Sequence, residues 1–221
     1  MISVITIALN NDSNLLKTVE SLNHIRATYQ DGFFEHIIVS PDMSCSEFKE
    51  SRFLFEEPSG IYPAMNAGLR DAKGEYLWFL NSGDECVECP DFSCLFGKNH
   101  PAGPHIFCFP VIRKYSDGRQ EVYEGNLTNP HQGILYHRDV FTRVGEYDTR
   151  YKLISDCLLY DRMREYKVKV IKLSKPIAYF AMDGISGSAE GKQRSKREFR
   201  HYFLRNITKL MAWFRFFRSY L

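Results

Sequence analysis

Two acids in this chain stand where a carboxylate can do chemistry. Asp84 closes the run Asn81-Ser82-Gly83-Asp84, directly after the apolar stretch "EYLWFL" of residues 75–80. Asp156 follows Ser155 at the head of "SDCLLYDRMREY", a segment with helical spacing. An acid at a strand's carboxyl end, beside a carboxamide, suits a hard divalent cation, because Mg2+ and Mn2+ take one or two protein oxygens and fill the rest of the shell from phosphates and water. A solvated turn is the competing reading, since all four residue types favour turns. A carboxylate in the first turn of a helix is favoured as an anion by the dipole and can accept a proton from a hydroxyl held against it. There the competing reading is an acid that only caps.

The elements that must position these acids follow from local pattern. Residues 2–9, "ISVITIAL", read as a buried parallel strand, and residues 13–30 as a helix that Asp12 or Ser13 can cap. Residues 35–40 form a second strand, 62–72 a second helix entered through Ser59-Gly60, and 75–80 a third strand after Lys73-Gly74. That β-α-β-α-β order implies parallel strands joined by right-handed crossovers, in a sheet covered on both faces. Beyond it, residues 106–114 and 120–123 predict a hairpin turning at Ser116-Asp117-Gly118 and extending the sheet. Residues 138–145 predict a short helix stopped by Gly145, residues 155–166 a longer one, and residues 167–173 an alternating strand. Ligands of open α/β sheets lie outside the strands' carboxyl ends, where Asn81 and Asp84 fall.

Composition narrows the function. With 221 residues, 44% of them apolar, the chain can form one sizeable domain or a domain with an appended subdomain. No apolar run reaches the roughly 18 residues of a spanning helix, and "MISVITIALN" lacks a basic leader, so a cytoplasmic protein is expected. Six irregularly spaced cysteines then read as reduced thiols, and the Asn-x-Ser/Thr matches at Asn11, Asn126 and Asn206 as chance. Cys86, Cys89, Cys94 and Cys108 invite a zinc reading, which is the weaker one because no second C-x-x-C follows. Neither a G-x-x-x-x-G-K-S/T loop nor a G-x-G-x-x-G after the first strand is present, which turns the reading toward a nucleotide-linked substrate held through a metal.

The segments "SVITIALNN", "GIYPAMNAGLRDAKGEYLWFLNSGDE" and "HQGILYHRDVFTRVGEYDTRYKLISDCLLYDRM" together resemble an inverting family 2 glycosyltransferase of GT-A fold, of the kind that builds bacterial surface polysaccharides. The similarity spans residues 2–186, and its most specific part is the middle block, with G-I-Y, A-M-N-x-G and F-L-N-S-G-D in the family's order. It implies a GT-A-type α/β catalytic domain over residues 1–186: a mostly parallel central sheet flanked by helices, with residues 1–85 as nucleotide-binding half and 86–186 as acceptor-side half. The resemblance puts Ala8, Asn10, Asp42, Tyr62, Asn66 and Asn81 on the nucleotide and donor, and Asp84 on Mn2+ or Mg2+. It puts His131 and Gln132 near the acceptor or donor sugar, and Asp156 in the role of base. His131 also reads as a structural hydrogen-bonding histidine. Two departures are visible: Asn81 and Gly83 stand where the family usually has acids, and "VSPDMS" replaces the common V-D-D-G-S.

The end of the chain has another character. Residues 1–191 carry 20 basic and 26 acidic side chains, whereas residues 192–221 carry 9 and 1. Residues 182–197 read as a polar, glycine- and serine-rich link that either brings Lys192, Arg194 or Lys196 to the diphosphate or serves as a tether. From residue 197, Phe199, Phe203, Ile207, Leu210, Phe214, Phe217 and Leu221 share one face of an amphipathic helix. A basic face opposite aromatic rings fits a peripheral contact with the inner face of the plasma membrane. Packing on the catalytic domain or on a second subunit is the alternative, and a nucleic-acid role is disfavoured because the rings form a stripe rather than a stacking groove. The expected activity is transfer of one sugar from a nucleotide-diphospho-sugar to a glycan or lipid-linked acceptor, with a non-catalytic nucleotide-sugar-binding protein as the rival. Without a Q-x-x-R-W motif, a processive synthase is disfavoured. Oligomeric state stays open.

Overall fold

The computed structural model describes residues 1–96, 101–124, 130–182 and 188–206. Its first strand, β1 (Ile2–Ile7), pairs in parallel with β2 (Phe34–Ser40), and β2 pairs in parallel with β3 (Arg52–Phe55). The other side of β1 takes β4 (Tyr76–Phe79), again in parallel. Side chains alternate along β1: Val4 joins a cluster with Leu22, Ile25, Trp78 and Phe92, while Ile5 joins another with Met65, Leu69 and Leu159. Both faces are therefore covered, as the near-continuous apolar strands require.

The sheet's acidic edge is followed by β5 (Glu85–Cys86), β6 (His105–Cys108), β7 (Val111–Lys114), β8 (Gln120–Tyr123), β9 (Ile134–His137), β10 (Lys169–Lys172) and β11 (Ala178–Ala181). Seven strands form the main sheet in the order β10-β6-β9-β4-β1-β2-β3, parallel except where β9 runs against β4 and β6. A four-stranded second sheet runs β5-β11-β7-β8. Helices α1 (Ser13–Ser21), α2 (Asn23–Thr28), α3 (Ile61–Asp71), α4 (Asp139–Val144), α5 (Ser155–Glu165) and α6 (Ala189–Arg205) complete the fold. The expected α/β class, a mostly parallel central sheet flanked by helices, is the one present.

Several local expectations are corrected. The single helix over 13–30 is two, broken at Leu22, where the Ser21 hydroxyl bonds back to Thr18 O and the Cys86 amide donates to it. The strand over 106–114 is also two: Pro110 has no N–H for a ladder, so β6 stays in the main sheet and the β7–β8 hairpin enters the second. Strands β3, β9 and β11 went unread, being short runs of four residues each. Residues 189–197 are helix rather than link, because the Ser188 side chain accepts from the Gly191 amide and caps α6. The tail beyond 206, including Ile207, Leu210, Phe214, Phe217 and Leu221, lies outside the described residues. Among the described residues no helix is long and apolar enough to cross a membrane.

Two contacts fix the helices that matter for the site. A Cβ on Gly68 would fall 2.5 Å from Ile5 Cγ2, so α3 lies against β1 closer than any side chain permits. Helix α6 docks on the entry to α5: Phe199 and Tyr202 pack on Tyr151, Ile154 and Leu158, and the Glu198 carboxylate accepts from the amides of Lys152 and Leu153 at 2.9–3.1 Å. The alternative of packing on the catalytic domain thus holds for this part of the amphipathic face.

Candidate functional site

A cleft of about 1270 Å3 opens at the carboxyl edge of the main sheet. Its floor comes from the segments after β1, β2 and β4, its walls from the first turns of α3 and α5, from β7 and β11, and from α6. Asp84 and Asp156 both line it, together with Ala8, Asn10, Tyr62, Asn81, His131, Gln132 and Arg194.

The turn carrying Asp84 is tied down locally. Gly83 has φ +94, a conformation other residues rarely adopt, and its amide donates to Thr18 Oγ1 at 3.0 Å. The same hydroxyl donates to Asp84 O at 2.7 Å. Glycine at 83 is therefore demanded by the turn. The Asp84 carboxylate, 4% exposed, accepts from Gln132 Nε2 at 2.6 Å on Oδ2 and from the Ala181 amide at 3.1 Å on Oδ1.

Beside it, Asn81 Nδ2 lies 2.9 Å from His131 Nε2. With the amide as donor, Nε2 accepts, which puts the imidazole proton on Nδ1. Burial lowers the His131 pKa, with the Asp156 charge opposing, so a neutral ring is favoured. Among the described residues, Asn81 Oδ1 and Gln132 Oε1 are buried and have no hydrogen-bond partner. Among the described residues no three His, Cys, Asp or Glu side chains group at metal-holding distance. The Asp84 carboxylate and the carboxamide oxygens of Asn81 and Gln132 are the donors here that could hold Mg2+ or Mn2+, with ligand phosphates completing the shell. The cysteines of the zinc reading include Cys86 and Cys108, both in the core, where burial raises their thiol pKa values.

Asp156 stands in the first turn of α5. Its Oδ1 accepts from Tyr62 Oη at 3.0 Å and from the Cys157 amide at 2.8 Å. Tyr62 is 5% exposed and its ring stacks on Tyr147. Cations line the same cleft: Arg113 and Lys114 from β7, Lys152, Arg164 from α5, and Arg194, which pairs with Glu198 at 3.3 Å. Sequence reasoning missed Arg113 and Lys114, because nothing in "VIRKYSDG" reports that its hairpin belongs to a second sheet facing the cleft.

Four expected site residues are not in the lining. Asn66 is buried and uses both ends of its carboxamide on the Tyr147 backbone, at 2.9 and 3.0 Å. Asp42 accepts from the Asn11 amide and from the Ser44 amide and hydroxyl, bonds that hold its carboxyl below the usual range and clasp the loops after β1 and β2. Lys192 and Lys196 are exposed on α6, each two residues from Arg194 and so turned away from the cleft face that Arg194 occupies.

No family model matches the chain. An uncharacterized glycosyltransferase of Mycobacterium tuberculosis is 29% identical over 184 residues, covering 70% of this chain and 65% of that protein. A PGL/p-HBAD biosynthesis glycosyltransferase of Mycobacterium bovis is 27% identical over 106 residues, 44% of this chain and 41% of its own. The matched chain therefore spans less than two thirds of these relatives' length. Among solved structures, S. aureus TarS superposes with a TM-score of 0.63 at 19% identity, over 81% of this chain and 36% of TarS. TarS 1–349 in complex with UDP-GlcNAc gives 0.58 at 18%, over 81% and 58%. The fold is shared with TarS, and the resemblance to glycosyltransferases carried by the motifs is met by sequence relatives of that name.

Proposed function

We propose that this chain is a glycosyltransferase that moves one sugar from a nucleotide-diphospho-sugar to an acceptor hydroxyl with inversion, in cell-surface polysaccharide or glycolipid biosynthesis. The observation that carries the reading is that Asp84 and Asp156 line one cleft at the carboxyl edge of a parallel sheet. The names of the sequence relatives support it, and the UDP and UDP-GlcNAc complexes of TarS make a uridine donor the first to try.

In this reading Ala8 and Asn10 face the nucleotide, and Arg113, Lys114 and Arg194 offset the diphosphate charge. Asp84, with the oxygens of Asn81 and Gln132, would hold Mn2+ or Mg2+, which would supply further neutralisation of the leaving diphosphate. Asp156 takes the proton of the acceptor hydroxyl as its oxygen bonds to the anomeric carbon. The bond from that carbon to the diphosphate breaks on the opposite face, so configuration inverts. The rival, a non-catalytic binder, is favoured by Asn81 in an acid's place. Incubation with a panel of UDP-, GDP- and dTDP-sugars, Mn2+ and a bacterial lipid extract separates the two. Release of nucleoside diphosphate that Asp156→Asn abolishes supports transfer; tight binding of a donor with no release under any condition supports the rival.

A cytoplasmic, membrane-peripheral location is part of the same proposal. Leu204 is exposed near the end of α6, with Arg205 next to it in sequence and Arg200 four residues earlier. Sedimentation with anionic liposomes tests this: the full chain should pellet and a chain ending at residue 195 should not, while equal pelleting of both speaks against the contact.

A further inference from the structure

The base of this proposed reaction is held from one side. The phenol and backbone donors to Asp156 converge on a single oxygen: Tyr62 Oη at 3.0 Å and the Cys157 amide at 2.8 Å reach Oδ1. Oδ2 receives neither. A carboxylate anchored this way keeps its orientation while its second oxygen stays available for proton transfer.

Tyr62 is suited to the anchoring role by position and by chemistry. It lies in the first turn of α3, entered through Gly60 at φ +122, and α3 is seated on β1 at Gly68. Its ring stacks on Tyr147 at 5.4 Å and 24°. Burial and the Asp156 charge push its phenol well above 10, so it remains a donor at every working pH.

We propose that Tyr62 is a positioning residue for the general base: its hydroxyl anchors Asp156 through Oδ1, leaving Oδ2 to receive the proton of the acceptor hydroxyl. The inference rests on Asp156 being the base. In the step, the acceptor O–H bond breaks and its proton passes to Oδ2. The acceptor oxygen bonds to the anomeric carbon, and the diphosphate departs with the electron pair of the broken C–O bond. The groups that face Asp156 are Tyr62 from α3, Cys157 and Tyr160 from α5, Tyr147 from the segment before α5, Tyr136 from β9, and His131 from the turn before β9. Burial raises the thiol and phenols and lowers the imidazole, so none of them carries charge at neutral pH. Lys152, Arg164 and Arg194 are the cations of the shared cleft nearest in sequence to α5 and α6.

Tyr62→Phe keeps the ring and deletes the donor. Carboxyl 13C NMR of the full chain, with the Asp156 signal assigned by Asp156→Asn, reads the consequence with no substrate present. Loss of the donor should displace the Asp156 carboxyl resonance from its wild-type position at fixed pH. An unchanged resonance overturns the proposal. Site-specific 3-fluorotyrosine at position 62, a stronger donor of nearly the same shape, should move it the other way and serves if the Phe variant does not fold. With whichever donor the wild type turns over, Tyr62→Phe should lower kcat about tenfold with little change in KM. If Asp156→Asn itself retains full transfer, the base assignment fails, while the carboxyl resonance still reports on the Tyr62 contact.

Discussion

Gln132 Nε2 donates to Asp84 Oδ2 at 2.6 Å, joining the turn before β9 to the turn after β4. The bond is buried and charge-assisted, and it holds Asp84 beside the unpartnered oxygens of Asn81 and Gln132 itself. Replacing Gln132 by Leu removes the donor and one candidate metal oxygen in a single change. The expected outcome is a loss of about 1–3 kcal/mol in urea unfolding, the cost of a weakened buried acceptor. The concentration of Mn2+ needed for half-maximal donor turnover should rise together with it. Wild-type Mn2+ dependence in the variant would speak against a metal role for this pair.

Gly68→Ala pits two effects against each other. Alanine in a helix gains about 1 kcal/mol over glycine. Against that, its Cβ would meet Ile5 Cγ2 at 2.5 Å and Val39 Cγ2 at 3.1 Å, and overpacking a buried contact costs about 1–3 kcal/mol. The clash should win, lowering the melting temperature and shifting α3 with Tyr62 on it. A variant more stable than wild type would show that the helix can retreat freely.

His36 predicts an acid sensitivity. Its ring bridges Ser51 Oγ at 2.7 Å and Thr6 Oγ1 at 2.9 Å, and the Thr6 hydroxyl donates a hydrogen bond to Leu80 O. Burial, with Arg26 adding to it, pushes its pKa down to about 3. The unfolded chain takes up this proton near pH 6.5 and the folded chain does not. Stability is therefore complete above about 6.5 and falls as pH drops toward about 3, by up to about 1.4 kcal/mol per pH unit. Urea midpoints between pH 7.5 and 5 should decline in the wild type and flatten in His36→Gln. Parallel slopes would remove His36 as the cause.

Glu198 couples helix α6 to the cleft. Its carboxylate accepts from two backbone amides ahead of α5 and from Arg194 Nε, and its side chain is 14% exposed. Glu198→Ala should loosen α6 and with it Arg194. Donor KM is expected to rise several-fold, as removal of a charge contact to a diphosphate would do, with kcat less affected. A donor KM equal to wild type would place Arg194 outside donor binding.

How far the site was legible depended on the range of the interactions behind each part. "GIYPAMNAGLRDAKGEYLWFLNSGDE" announced α3, β4 and the acidic turn because helix period, strand composition and turn residues act within a few positions. The helix start at Ser155 was legible for the same reason. By contrast, "ILYH", "RFLF" and "AYFA" are too short to carry a period, and they become strands through the neighbours that the sheet order supplies. Asn66 looked like a site residue from its block, yet a buried carboxamide must satisfy four hydrogen-bonding positions, and the Tyr147 backbone was within reach.

The amino-acid order by itself determined that strands alternate with helices, that Asp84 ends an apolar strand and that Asp156 opens a helix, because each follows from contacts between near neighbours in the chain. Which oxygen of Asp156 is anchored, what holds Asp84, and which cations reach the cleft were decided only by the tertiary structure. Those contacts join residues 48 and 94 positions apart, and two such side chains meet only once the sheet order and the seating of α3 and α6 have brought their elements to one edge.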